Sequence, residues 1–388
     1  MKLLRPNYLV FEPRESPELA LRQLVSASPD EGAVRWIALA PHLGSEREVD
    51  AGDLAVFAAL PPGALVDEDA LALRFGAQRV ARLVEEGLLL GEHAGHADWR
   101  QRDARLRQAG WWGPAALAQV FGRWDAVDVS AIERQEGPRN VQRLMAENGM
   151  PPPEALAVGA EGARLALPAP RAGALDELLA ARVTCRNFDG DAGLDAGELA
   201  TVLHRVFAAQ GTQELAPGAT MLKKTSPSGG GLHPIEAFVL VQRVDGVASG
   251  LYHYHCQAHA LEPMASLSTE AAAAAARELV AGQAWFANAP VLVLMAARYP
   301  RTYWKYRHHA KAWKVVQLDA GHLSQTLYLS ATDLGLGAFV TAAINDGCAE
   351  RLFALDGLDI APVAVCGFGR RAAQVVTREL DPRGRAAR

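Results

Sequence analysis

Apolar and polar positions follow two different patterns along this chain, and the change falls near its middle. Toward the N-terminus, short runs at Tyr8–Glu12 and Arg35–Leu39 have the length and composition of strands. Ala51–Leu60 repeats with helical spacing until Pro61-Pro62 breaks it. A further helix is predicted over Asp69–Glu86, where Leu71, Phe75, Val80, Leu83 and Val84 recur near that spacing before Gly87. Leu88–Gly91 then reads as a short strand. Trp111, Trp112 and Trp124 fall in a segment that is helical or loop, and clustered aromatics of this kind point to core or interface.

The other half mixes the two periods. Helices are predicted at Ala174–Ala181 and Ala196–Ala209, and strands at Glu236–Gln242, Gly250–His255 and Ala260–Met264. An alanine-rich helix at Thr269–Ala281 precedes Pro290–Ala297, whose branched apolar run reads as a buried strand. A long helix over Tyr306–Leu334, a strand at Ala338–Ala343, a helix at Cys348–Leu355 and a strand at Ile360–Gly367 complete the pattern. Strands mixed with helices, without a regular βαβ count, indicate an α+β fold with a mixed sheet flanked by helices. The proline- and alanine-rich passage Met150–Ala172 separates the halves. The expected domains are therefore 1–165 and 166–388.

In the first domain, helix, helix and a glycine-led hairpin outline a winged-helix-like module. DNA reading would need a basic second helix. Arg74, Arg79 and Arg82 are there, but Glu85, Glu86, Asp67, Glu68 and Asp69 oppose them. Packing, dimerisation and peptide recognition are the roles left to it. Net charge is −5 with both signs mixed, which argues against a nucleic-acid partner. Four scattered cysteines without CxxC spacing suggest free thiols in a reducing compartment. The N-terminal residues lack a signal-peptide apolar run, and no stretch of about 18 apolar residues is free of charge. The expectation is a cytoplasmic protein with no membrane span.

Three separated segments carry candidate chemistry. Arg182, Thr184 and Arg186 follow a helix and can hold a phosphate by charge-assisted bonds, although paired arginines are also ordinary solvated helix ends. Ser226-Pro227-Ser228-Gly229-Gly230-Gly231-Leu232-His233-Pro234 gives a loop whose backbone can approach a flat ligand, or a plain flexible turn. It precedes a strand, so it is not a dinucleotide-binding fingerprint. Gly367-Phe368-Gly369-Arg370-Arg371 follows the last strand and again suits a phosphate. His253, His255, Cys256 and His259 do not form a metal site on this reading, because alternate strand residues face opposite ways. His322 reads as a core histidine and His233 as an exposed loop residue.

Together the R-x-T-x-R-x-F pattern, the P-S-G-G loop, the W-K-Y element before a D-A-G-H helix, and the L-G-L-G turn resemble the SagB-type dehydrogenases. These are FMN-dependent azoline oxidases of peptide-maturation pathways, within the nitroreductase superfamily. The resemblance covers about Leu175 to Arg371. It implies a nitroreductase-like fold, FMN and a homodimer. It also implies that Arg182 and Thr184 hold the phosphate, with Arg370 or Arg371 returning to it. Arg186 would face the ribityl chain or the N1/O2 edge, and Pro227, Ser228, Gly229 and Gly230 the isoalloxazine. Thr341 and Ala342, in the Thr341–Ala343 stretch, would bring backbone close to N5. Lys305 and Tyr306 would handle the proton released as hydride leaves, given a buried, cationic neighbourhood for the lysine. Ala361-Pro362 stands where relatives usually carry Glu-Pro, and Cys185 where a serine or other small residue is common.

The expected activity is oxidation of a ribosomally made, modified peptide (azoline to azole, or a related residue). The precursor peptide is the substrate and a cyclodehydratase a possible companion. Two alternatives are an NAD(P)H-fed flavin reductase of nitro, quinone or dehydroamino-acid substrates, and a flavin-free peptide-binding partner.

Overall fold

The computed structural model describes residues 1–15, 34–137, 140–156, 164–382 and 384. The chain forms two compact units that do not follow the linear division. Met1–Arg123 joins Ala297–Leu318 and Leu355–Ala361 in the first, and the second holds Trp124–Ala296, Asp319–Ala354 and Pro362–Arg388. Of the expected linker, 157–163 lies outside the described residues; the rest of Met150–Ala172 has no regular secondary structure.

In the first unit, β1 (Lys2–Leu4) is the middle strand of a small antiparallel sheet; its neighbours, Leu65–Asp67 and Leu90–Gly91, come later in the chain. A second sheet pairs β2 (Val10–Glu15), β3 (Val34–Ala40) and β4 (Ser45–Val49). Helix α1 (Ala51–Ala58) starts on a reciprocal cap: Asp53 N–H donates to Asp50 and Asp50 N–H to Asp53. Then come β5 (Leu65–Asp67), α2 (Glu68–Phe75), α3 (Ala77–Glu85) and β6 (Leu90–Gly91). The single helix expected over Asp69–Glu86 is two, because Gly76 takes φ 97, a left-handed conformation outside the helical range. The expected hairpin after Gly87 does not form: β6 pairs with β1, with Leu3 opposite Gly91. The chain then enters α4 (Ala97–Ala109) and α5 (Gly113–Phe121).

Leu3, Val56, Phe57, Leu71, Val80 and Leu83 form the core of this region. Two of the three arginines weighed above as a basic face have an internal task. Arg82 and Arg79 hold the fully buried Asp53 carboxylate at 2.5 and 3.1 Å, tying α3 to the start of α1. Trp111 is core: it packs 4.4 Å from Tyr299 and 5.0 Å from Tyr303, which belong to the helical turn Tyr299–Lys305.

The second unit is built on six strands. Along the chain its main elements are α6 (Ala174–Ala181), α7 (Ala196–Phe207), β7 (Ile235–Val241), β8 (Gly250–His255), β9 (Ala260–Ser266) and α8 (Thr269–Leu279). β10 (Val291–Arg298), α9 (Ala310–Asp333), β11 (Gly337–Thr341) and β12 (Ile360–Gly369) follow. The sheet runs β9-β8-β7-β10-β12-β11. Val291–Ala297 is wholly buried in its interior, which is why this strand is apolar at every position instead of alternating. Glycine is forced beside it: a Cβ on Gly369 would stand 2.2 Å from Pro290.

The long helix starts at Ala310, later than expected, because His308 takes φ 53 and ends the preceding turn. A hairpin (Gly211–Ala216 with Ala219–Lys223) and helices at Val129–Glu136 and Val141–Asn148 carry no periodic signal of the expected kind. His253 lies between Glu262 (2.7 Å) and Glu236 (3.5 Å), and no group of three metal-ligating side chains occurs among the described residues. Nor is any described helix long and apolar enough to cross a membrane.

Candidate active site

The Arg182–Phe188 segment is fused to the sheet edge. Thr184 bridges Ala338 of β11 in parallel, and Cys185 N–H donates to Ala338 O at 2.8 Å. Cys185 packs against Gly337, which must lack a side chain: a Cβ there would meet the Cys185 sulfur at 2.6 Å. Burial pushes that thiol up to about 11, so it stays protonated and is no nucleophile at neutral pH. Thr184 Oγ1 lies 3.0 Å from the Tyr328 hydroxyl, and the Arg182 guanidinium lies over the Tyr328 ring, 5.2 Å from its centroid. Arg186 stands 5.9 Å from the centroid of Phe286, itself stacked on Phe339. Among the described residues neither guanidinium has a carboxylate partner.

The glycine loop is fastened, in contrast to the flexible-turn reading. The Ser228 hydroxyl donates to Asp319 Oδ2 (2.5 Å) and Gly229 N–H to Asp319 Oδ1 (3.0 Å). His322 Nδ1 lies 3.2 Å from Pro227 O, and Ser226 Oγ lies 2.7 Å from Thr326 Oγ1. Residues 319, 322 and 326 lie on one face of α9, so a single helical stripe holds the loop. His233 N–H returns to Ser228 Oγ at 2.8 Å, closing the turn through Gly230 and Gly231, both at positive φ. Asp319 is only 3% exposed, and burial raises its pKa above the ordinary carboxylate value. It belongs to the site, yet the sequence showed it only as one charge among several on a long helix.

The two C-terminal arginines are differently placed. Arg370 pairs with Glu198 at 2.6 Å. Arg371 pairs with Glu379, whose carboxylate also accepts from Arg186 N–H (2.6 Å) and Asn187 Nδ2 (2.8 Å). Asn187 Oδ1 accepts in turn from the N–H groups of Val376 and Thr377, both at 2.8 Å. Neither Glu198 nor Glu379 could be paired with these arginines from the sequence, since both lie far from them in the fold's connectivity or in a tail without periodicity. The Thr341–Ala343 turn is held by Gln283 Nε2, which donates to Ala343 O at 2.8 Å. Ala342 itself is exposed.

Lys305 and Tyr306 belong to the first unit, whereas every candidate flavin contact belongs to the second. Lys305 closes the turn Tyr299–Lys305, its ammonium 5.5 Å from the Tyr306 ring centroid. Its side chain is exposed; the buried neighbourhood expected for it is not found there.

An arginine pair and a threonine hydroxyl on the sheet-edge segment, and a triple-glycine loop clamped to α9, are the candidate binding elements of the second unit. Residues 179–370 match the family model described as "Nitroreductase family", and the chain carries a nitroreductase-family domain. Proteins of this family generally depend on flavin, and the donor set fits a flavin nucleotide: guanidinium groups free of carboxylates at Arg182 and Arg186, a hydroxyl at Thr184, and a glycine loop for a flat ring.

Among individual proteins, it is 30% identical over 136 residues to the trifolitoxin-processing protein TfxB of Rhizobium leguminosarum bv. trifolii, covering 35% of this chain and 36% of that one. It is 28% identical over 159 residues to the microcin B17-processing protein McbC of Escherichia coli, covering 40% and 57% respectively. The matches thus span well under two thirds of either relative. The E. coli microcin synthetase McbBCD complex with truncated pro-MccB17 bound aligns with a TM-score of 0.49 at 21% identity, covering 69% of this chain and 97% of that one.

Proposed function

We propose that this protein is an FMN-dependent dehydrogenase of the SagB type that oxidises a ribosomally made, modified peptide, converting an azoline to an azole or carrying out a related desaturation. The observation that carries the reading is the pair Arg182 and Arg186, without carboxylate partners, on a segment locked to the sheet edge. Similarity to two proteins named for processing trifolitoxin and microcin B17 supports a peptide substrate, and a cyclodehydratase companion is part of the same proposal. A cytoplasmic homodimer, with residues 1–165 serving peptide recognition or dimerisation and 166–388 catalysis, completes the proposal.

Bound FMN supplies the hydride acceptor. Arg182 and Thr184 would hold its phosphate, and Arg186 would offer positive charge to the pyrimidine edge. Pro227, Ser228, Gly229 and Gly230 line the ring plane in a loop that Asp319 keeps in one conformation. Thr341 and Ala342 contribute backbone near the reacting edge. Arg370 and Arg371 would reach the phosphate only by exchanging their present carboxylates, Glu198 and Glu379. Lys305, beside Tyr306, would be the proton acceptor from the substrate carbon.

The test is the visible spectrum of the purified protein after FMN addition and desalting, beside Arg182→Ala. Flavin bands retained by the wild type and weakened in the variant are expected. A colourless wild type would sink the oxidoreductase reading, and rapid NADPH oxidation without peptide would favour a reductase instead.

A further inference from the structure

The segment from Arg298 to Leu318 holds six Lys and Arg residues and no Asp or Glu, in a chain whose net charge is −5. All of it lies in the first unit. Arg298 and Arg301 are half-buried, whereas Lys305, Arg307, Lys311 and Lys314 are exposed, and none of these four has an ion-pair partner among the described residues. Trp304 stands among them with 67% of its surface in water. A bare indole beside cations without ion-pair partners leaves an apolar surface and a positive field open side by side to a ligand. Lys311 and Lys314 also open α9, where the helix dipole disfavours cations.

The stretch is nonetheless held firmly. His308 N–H donates to Gly110 O at 2.8 Å, its Nδ1 lies 3.2 Å from Trp111 O, and Arg307 packs against Gly110 so closely that an added Cβ would sit 3.2 Å from Arg307 Cγ. Beneath it Trp111, Tyr299 and Tyr303 form a buried aromatic base. Holding His308 at φ 53 costs free energy that an idle surface loop would not need to spend.

From this we infer that the Trp304–Lys314 surface is a docking site for an acidic peptide segment carrying an apolar anchor residue. Carboxylates would pair with Arg307, Lys311 and Lys314 while the anchor covers Trp304. A nucleic acid would meet the same charges, but its phosphate density calls for a broadly basic domain, and this chain has a pI near 6.1. The inference rests on the proposed peptide substrate and names its chemistry.

The test uses fluorescence anisotropy of the full chain with a fluorescein-labelled 20-residue peptide containing six Glu and one Leu, beside the same peptide with Gln for Glu, and with a labelled oligo-dT. The Glu peptide should bind at least tenfold tighter than the Gln peptide. Its Kd should rise about tenfold in Lys311→Glu/Lys314→Glu, and less in Lys311→Gln/Lys314→Gln. Acidic residues suit a helix start, so the first pair should fold; the Gln pair settles the matter if it does not. Equal binding of the two peptides, indifference of both double variants, or tighter binding of oligo-dT would overturn the inference. Flavin content of the same samples separates its failure from that of the proposed function: loss of flavin in wild type ends the latter alone, whereas normal flavin with no acidic preference ends the former alone.

Discussion

Replacing Asp319 by alanine removes both acceptors that hold the glycine loop to α9. The carboxylate receives the Ser228 hydroxyl at 2.5 Å and the Gly229 N–H at 3.0 Å, and it is almost wholly buried. Hydrogen bonds to a charged group contribute about 1.5–3 kcal/mol each. Two offsets apply. Asp319 bears a desolvation cost, visible in its raised pKa, and the half-exposed loop can hydrate its freed donors. A net loss of about 2 kcal/mol in loop anchoring is the expected balance, which corresponds to roughly thirty-fold in the loop-opening equilibrium. Two assays read it. Hydrogen exchange at the Gly229 amide should accelerate by about that factor with or without FMN, and the FMN Kd from absorbance titration should rise about tenfold or more. Asp319→Asn keeps the volume but presents an NH2 to one of two donors, so it should recover only part of the loss. Unchanged exchange at Gly229 in Asp319→Ala would refute the latch itself. Faster exchange with FMN affinity held within twofold would keep the latch but detach it from the flavin.

Asp53→Ala in the first unit breaks a buried carboxylate–arginine cluster and a reciprocal helix cap, and about 3 kcal/mol of stability should disappear in urea unfolding. His253 gains its proton more readily in the fold because Glu236, then Glu262, bond to it. Its contribution is therefore complete below the unfolded value of 6.5 and is lost as pH rises through the higher folded value. For this partly exposed group it should be about 0.5–1 kcal/mol, so His253→Gln should lower stability at pH 6 and leave it nearly unchanged at pH 9. Gly369→Ala drives a methyl group to 2.2 Å from Pro290 and should cost about 1–3 kcal/mol by calorimetry; a neutral result would mean that β12 can shift freely beside Pro290.

Much of the second unit was legible because its central strands are buried on both faces. Val291–Ala297 reads as a strand at every residue, and the Arg182–Phe188 and Ser226–Pro234 segments announced themselves by composition. What escaped reading depends on partners remote in sequence. β1 has three residues and acquires its place only through strands some sixty to ninety positions away. Asp319 looks like any solvated acid on a helix until Ser228 and Gly229 arrive from ninety residues earlier. The break at His308 has no glycine or proline to mark it, and the left-handed residue is fixed by Gly110 and Trp111 instead. Gly76 did carry a signal, but the helical spacing around it concealed the break.

The clasp between Asn187 and residues 376–379 sets an order of events during synthesis. Arg186 and Asn187 emerge early, yet the carboxylate and the amides that fix them follow about 190 residues later. At ordinary translation rates that interval is roughly 10–40 s. Throughout it water must serve the polar groups of Arg186 and Asn187 in place of those partners. The clasp on the sheet-edge segment thus closes only once residues 376–379 have emerged.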